Sequence, residues 1–135
     1  MTAPEILVVP DVEAIAIDHL GGFALPGIEV ATFIPQPIPK ANGFVVPKSA
    51  GGLGRRSVVL EERMLVVDCY SWDEATAQRL ADLVHAIMLI MNVRPEIYRV
   101  STFGGPYHQT DPLYSDLSRY TINLNVLVRA AAWTP

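Results

Sequence analysis

Few residues in this chain have the types and spacing that chemistry needs. Three histidines, His19, His85 and His108, lie far apart along the sequence. A metal centre draws on clustered ligands, and three scattered imidazoles do not supply one. Cys69 is the single cysteine, which excludes an intrachain disulfide and a cysteine-rich metal site. It shares strand parity with Leu65 and Val67, so it reads as a small core hydrophobe rather than a nucleophile. Asp68, Ser71 and His85 have the residue types of a hydrolytic triad. Ser71, however, forms an S-x-x-E capping box with Glu74. His85 falls further along the same helix, roughly 20 Å from its start at about 1.5 Å per residue, and that distance excludes the triad. His108 and Asp111 sit in Gly-Gly-Pro-Tyr-His-Gln-Thr-Asp-Pro, where Asp before Pro is a turn signal. An active site there would have to form between subunits.

Nucleotide chemistry finds no better footing. Gly51-Gly-Leu-Gly54 lacks the lysine and following helix of a P-loop, no G-x-G-x-x-G follows a strand, and no G-x-S-x-G elbow is present. The expectation is a protein with no catalytic residue, no cofactor and no metal. What remains is a basic group, Lys48, Arg55 and Arg56, on the glycine-rich segment 47–56. Residues 40–63 carry a net charge of +3, whereas residues 1–39 carry -5. No aromatic stripe accompanies the cations, so the stacking platform of a single-strand binder is missing. The whole-chain charge of -4 also argues against a dedicated nucleic-acid binder. Lys48, Arg55 and Arg56 read as an electrostatic docking surface with two possible targets, DNA phosphates or acidic residues of an adjacent subunit, the second being preferred. Their loop is expected to extend from the sheet, mobile in the free subunit and ordered in an assembly.

The elements that must position these residues fit one domain, residues 1–135. Only 18% of residues are charged and 50% are apolar, which excludes disorder. A mean hydropathy of +0.28 points to an unusually large core or, the preferred reading, to apolar surface buried against other subunits. Met1 to Pro10 lacks the basic stretch of a signal peptide. The uncharged stretch Leu83 to Val93 is about half the ~20 residues that span a bilayer, so no membrane segment is expected.

A short helix is expected from Pro10 to Leu20, with Pro10 in its first turn and Val12, Ile15, Ala16 and Leu20 on one face. Strands are expected at Ile28–Ile34 and Gly43–Val46, separated by the proline-rich run 35–39 as an extended crossing. A long strand, Ser57–Tyr70, is polar at Glu61-Glu62-Arg63 and apolar on both faces at Met64–Val67, which calls for cover on both sides. The helix from Trp72 to Met91 turns Ala77, Leu80, Ala81, Val84, Ile87, Met88 and Met91 to the core. Leu83, Leu89 and Ile90 lie off that face, so a second packing partner or an overlying loop is required. Strands at Ile97–Phe103 and Arg119–Arg129 close the chain, the latter alternating Tyr120, Ile122, Leu124, Val126 and Val128 with polar residues. The order α-β-β-β-α-β-β reads as an α+β fold, a mostly antiparallel sheet of about five strands flanked by two helices.

This order carries a resemblance. The long strand ending Val66-Val67-Asp68-Cys69-Tyr70 precedes a helix with Ala77-x-x-Leu80-Ala81-x-x-Val84. Gly104-Gly105-Pro106, Asp111-Pro112 and Arg119-Tyr120 then lead into the last strand. Over roughly residues 10–130 the chain resembles the tail terminator, or tail completion, proteins of long-tailed bacteriophages. The resemblance implies a structural virion protein, located in the host cytoplasm during assembly and in the tail or neck thereafter. It implies a ring, usually a hexamer, that caps the tail tube, stops its polymerisation and presents the surface that joins the head. The implied partners are further copies of the chain, the tail tube protein and a connector or stopper protein, with DNA passing through the lumen without specific binding. The alternatives are a head-to-tail connector or stopper subunit, or a small oligomeric enzyme with an inter-subunit site at His108 and Asp111. The family carries no catalytic motif to transfer. The interface residues singled out, Lys48, Arg55, Arg56, Leu83, Leu89 and Ile90, come from the charge and periodicity readings alone.

Overall fold

The computed structural model describes residues 5–23, 25–35 and 43–134. In chain order these form β1 (Leu7–Val8), α1 (Val12–Gly21), β2 (Ile28–Val30), β3 (Gly43–Ser49), β4 (Gly54–Arg55) and β5 (Leu60–Ser71). Then come α2 (Glu74–Leu89), a 3-10 turn (Met91–Val93), β6 (Ile97–Thr102), β7 (Tyr107–His108), β8 (Ser118–Arg129) and β9 (Ala131–Ala132). The class is α+β. The main sheet runs β2-β3-β5-β8-β6, with β4 hydrogen-bonded to β5 and β7 to β8; β1 and β9 pair as a separate ribbon. All pairings are antiparallel except β2 with β3.

The long strands β5 and β8 form the middle of the sheet and pair along their whole length, from Leu60 opposite Arg129 to Ser71 opposite Ser118. Because side chains alternate across a strand, this register sends Leu65, Val67 and Cys69 to the same face as Leu124, Ile122 and Tyr120. Both helices lie on that face. Ala77, Leu80, Ala81, Val84, Ile87 and Met88 of α2, and Val12, Ala16 and Leu20 of α1, complete the main core. On the opposite face Phe44, Val46 and Tyr70 form a smaller cluster with Leu117 of the segment 109–117. Phe44 and Tyr70 stack there with ring centres 4.7 Å apart. Met64 and Val66, on the same face, are half-buried.

Several elements depart from their sequence reading. The α2 N-cap is Asp73, whose carboxylate accepts from the Thr76 N–H at 2.9 Å. Ser71 is not a cap: the β5–β8 ladder holds it as the last residue of its strand. The first helix starts at Val12 behind an Asp11 cap, so Pro10 precedes it. β2 stops at Val30, four residues short of the expected Ile34. β3 continues through Pro47 and Lys48 to Ser49. Pro47 is tolerated because β2 ends opposite Val45, and among the described residues the edge that Pro47 turns away from β5 has no strand to receive a donor. The expected strand at Ser57–Tyr70 begins at Leu60, since residues 56–59 turn the β4–β5 hairpin. The proline-rich crossing lies almost wholly outside the described residues.

His19, on α1, is buried and its Nε2 lies 2.8 Å from the Ile87 carbonyl, to which it donates. The imidazole thereby ties α1 to the last turn of α2, a structural use of one scattered histidine.

The two faces of α2 respond differently to truncation. Met88 is fully buried, so Met88→Ala costs about 2–5 kcal/mol, through lost burial and a residual cavity. Leu89→Ala at the neighbouring exposed position stays within about 0.5 kcal/mol in the free subunit. Urea unfolding of the two variants checks the difference.

Candidate functional site

The most concentrated polar chemistry lies on the sheet face opposite the helices. The β5–β8 register sets Tyr70 opposite Arg119 and Asp68 opposite Thr121. The segment after β7 folds over them and brings Asp111. Tyr70 donates its phenolic O–H to Asp111 Oδ2 at 3.1 Å, and Thr121 donates to Asp68 Oδ1 at 2.8 Å. Arg119 Nη1 lies 3.6 Å from Asp111 and 4.0 Å from Asp68, so one guanidinium serves two buried carboxylates. Its other nitrogens donate to the backbone carbonyls of Gln109 at 3.0 Å and Thr110 at 3.3 Å. Lys48 Nζ stands 3.5 Å from Asp68 Oδ2 at the open side.

This network is a clamp that fastens the 109–117 segment to the sheet. Burial pushes the Tyr70 phenol up to about 12, against the opposing Arg119 hydrogen bond and with the Asp68 charge adding to the rise. The phenol is therefore protonated at neutral pH and available as the donor that Asp111 needs. Burial, with Asp68 next in the chain, also raises the Cys69 thiol, leaving it far from the thiolate form a nucleophile requires. The hydrolytic triad is not assembled: Asp68 is committed to Thr121, Lys48 and Arg119, while His85 Nε2 lies 3.2 Å from Thr102 Oγ1. His108 and Asp111 are not hydrogen-bonded to each other among the described residues. Asp111 turns inward to Tyr70, whereas the His108 ring rests on Tyr120, centres 5.3 Å apart.

The basic group is folded in rather than extended. Arg55 Nε lies 3.5 Å from Glu61 Oε1, and its guanidinium donates to the carbonyls of Val58 at 2.7 Å and Leu7 at 2.9 Å. Arg56 pairs with Glu62, a buried carboxylate. Lys48, Arg55 and Arg56 each have an acid of β5 as partner, Glu61 being shared with Arg63 and Asp68 with Arg119, so the expected positive surface is largely offset within the chain. The loop itself is anchored along β5, where Ala50 N–H donates to the Met64 carbonyl and Met64 N–H to the Gly51 carbonyl, both at 2.8 Å. Gly52 makes this approach possible: at φ +129°, an added Cβ would meet the Glu62 carbonyl at 2.6 Å. The charge pattern of the sequence does not show these pairings because Glu61 and Glu62 lie next to the arginines only across the β4–β5 hairpin.

The apolar candidates are surface residues. Leu83, Leu89 and Ile90 are 48%, 38% and 48% exposed. Leu83 borders an open groove of about 210 Å³ with Leu25, Pro26, Ile28, Leu80 and Arg79. Trp72, Leu113 and Tyr114 line a separate recess of about 230 Å³ beside the clamped segment. No helix of the described residues is long and apolar enough to cross a membrane. No protein-family model matches the chain, and no curated protein is significantly similar to it.

Tyr70, Arg119 and Thr121 are the site residues that sequence reasoning missed. The polar positions of the alternating β8 pattern were legible, but their register against Asp68 and Tyr70 was not.

Two outcomes follow from the clamp. Arg119→Met leaves Asp68 and Asp111 without their shared cation and costs about 3–5 kcal/mol in urea unfolding, with Arg119→Lys recovering part. Because the folded Tyr70 pKa is raised from 10.0 to about 12, its stabilisation is complete below pH 10 and is lost as pH rises through 12. Tyr70→Phe therefore flattens the alkaline fall of the unfolding midpoint across that window.

Proposed function

We propose that this chain is a structural virion protein that forms a ring on the last disc of a long bacteriophage tail. In that position it stops polymerisation of the tail tube protein and presents the surface that receives a connector or stopper on the head side. DNA passes through the lumen without specific binding, and the chain performs no catalysis. The reading rests on the sequence resemblance over residues 10–130. The structural observation that best supports it is the second face of α2. This helix buries one stripe against the sheet yet leaves Leu83, Leu89 and Ile90 in solvent. Fully burying a large apolar side chain stabilises by about 1.5–3 kcal/mol, and with less than half of each of these left exposed, an assembly that covers them gains up to about 1 kcal/mol per residue, repeated in every subunit.

Two further features fit an assembly subunit. The buried polar groups of the sheet are spent on fastening a segment, with each carboxylate of the clamp facing a cation. The neutralised Lys48, Arg55 and Arg56 shift the weight of docking from charge to apolar contact. Exposed ion pairs are worth about 0–1 kcal/mol, and here the cations already have partners in their own chain. The alternative of an enzyme at His108 and Asp111 loses support from their separate commitments.

The test is made in an infecting phage. Leu83→Asp together with Ile90→Asp is expected to yield overlong tails that are not joined to heads, seen by electron microscopy. Tails of normal length joined to heads at wild-type yield, with the variant incorporated, would overturn the assignment, as would finding this chain as isolated single copies in mature tails.

A further inference from the structure

The main sheet ends in β2 on one side and β6 on the other, and among the described residues neither has a further strand beside it. An uncovered strand edge presents backbone donors and acceptors to any strand that fits. Here the two edges differ in charge. Glu29 is the exposed residue at the centre of β2, and Arg99 is exposed on β6. Neither has an ion pair or side-chain hydrogen bond among the described residues, whereas Lys48, Arg55, Arg56, Arg63, Arg94 and Arg119 all pair with acids.

We propose that copies of this chain associate head to tail by adding β6 of one copy to β2 of the next, with Arg99 opposite Glu29. The proposal rests on the ring reading only for the claim that copies associate, and it does not depend on a phage tail.

Strand direction supports it. β2 and β3 run one way, β5 the other, β8 back again, and β6 runs with β5. Repeating the sheet in the same orientation therefore places β6 antiparallel to β2 of the next copy, the pairing with straight hydrogen bonds.

The available backbone groups support the same register. Phe103 N–H donates to the Asn123 carbonyl at 3.2 Å, so the odd-numbered positions at this end of β6 bond to β8. By the alternation of an antiparallel ladder, the N–H and C=O of Val100 and Thr102 point to the free edge. On β2, Ala31 N–H donates to the Val45 carbonyl at 3.0 Å, which turns the Ile28 carbonyl and both backbone groups of Val30 outward. Opposing Arg99 with Glu29 brings Val100 opposite Ile28 of the next copy, so the Val100 N–H meets the outward Ile28 carbonyl, while the Ile28 N–H stays with Leu25 of its own chain.

Side-chain faces agree as well. Glu29 lies beside Phe44 and Arg99 beside Leu127, both on the face away from the helices. Ile28, Val30 and Val100 pack against the core on the helix face. One register thus continues the apolar layer on one face and joins opposite charges on the other. Pairing like edges in the corresponding register would set Arg99 on Arg99 or Glu29 on Glu29, which disfavours a two-fold dimer. A head-to-tail contact closes into a ring when its rotation allows.

Sedimentation of the full chain over a concentration series tests the contact. Glu29→Arg and Arg99→Glu are each expected to weaken association about tenfold or more, and the double reversal to restore it. Both side chains are exposed, so the variants fold. In a second measurement, Glu29→Cys with Arg99→Cys is expected to give a reducible ladder of multimers under mild oxidation, since directly opposed strand positions lie within disulfide reach. A wild-type chain that stays monomeric throughout, or multimers unaffected by both single reversals and yielding no ladder, overturns the proposal. Multimers of the latter kind leave the ring reading standing on another interface. Overlong-tail and head-joining defects test that reading separately.

Discussion

The pairing of β5 with β8 carries the rest of the structure. Each strand has 12 residues, and they match end to end, so this ladder places nearly every group of consequence. On one face it assembles the floor on which both helices pack. On the other it sets Tyr70 against Arg119 and Asp68 against Thr121. A slip of one residue would exchange the two faces, sending Leu65, Val67 and Cys69 into the polar layer. The apolar alternation of β8 and the doubly covered middle of β5 together make that slip costly, and so specify the register.

The clamp shows how the second face is managed. A sheet covered by helices on one side leaves the other to water or to whatever the chain can fold over it. Here residues 109–117 supply the cover, and a half-buried Arg119 with two buried carboxylates fastens it. Such an arrangement stabilises only while every partner is present, because an orphaned buried charge costs more than the pair contributes. The segment is thereby held in one place. Beside it the cover gives out, and Leu53 and Phe103 stay largely exposed, bordering an apolar recess with Gly52, Met64 and Asn125.

The groups that chemistry would draw on are largely committed within the chain. The thiol of Cys69 is raised and buried, the three histidines serve packing or local hydrogen bonds, and the cations of the glycine-rich loop are paired within the chain. Among the described residues, apolar area on α2, the recess at Leu53 and Phe103 and two sheet edges of opposite charge stay uncovered.

The sequence by itself determined the α+β class, the place of α2 and the identity of its core stripe, although the helix runs Glu74–Leu89, two residues shorter at each end than its pattern, with Met91 in the 3-10 turn. Helical spacing, and the alternation from Tyr120 to Val128, are local properties readable without the fold. It also marked Leu83, Leu89 and Ile90 as lying off the core face. Tertiary structure alone decided the partners of the charges. Arg56 and Glu62 are six residues apart, yet only the hairpin register joins them; Arg119, Asp68 and Asp111 come together from two strands and a loop. Ser71 carried the local signature of a cap, but its strand pairing with Ser118 overrode it and passed the cap to Asp73. Short-range patterns report which face a residue occupies. Which residue stands opposite is set by strand register, a long-range choice that no local spacing encodes.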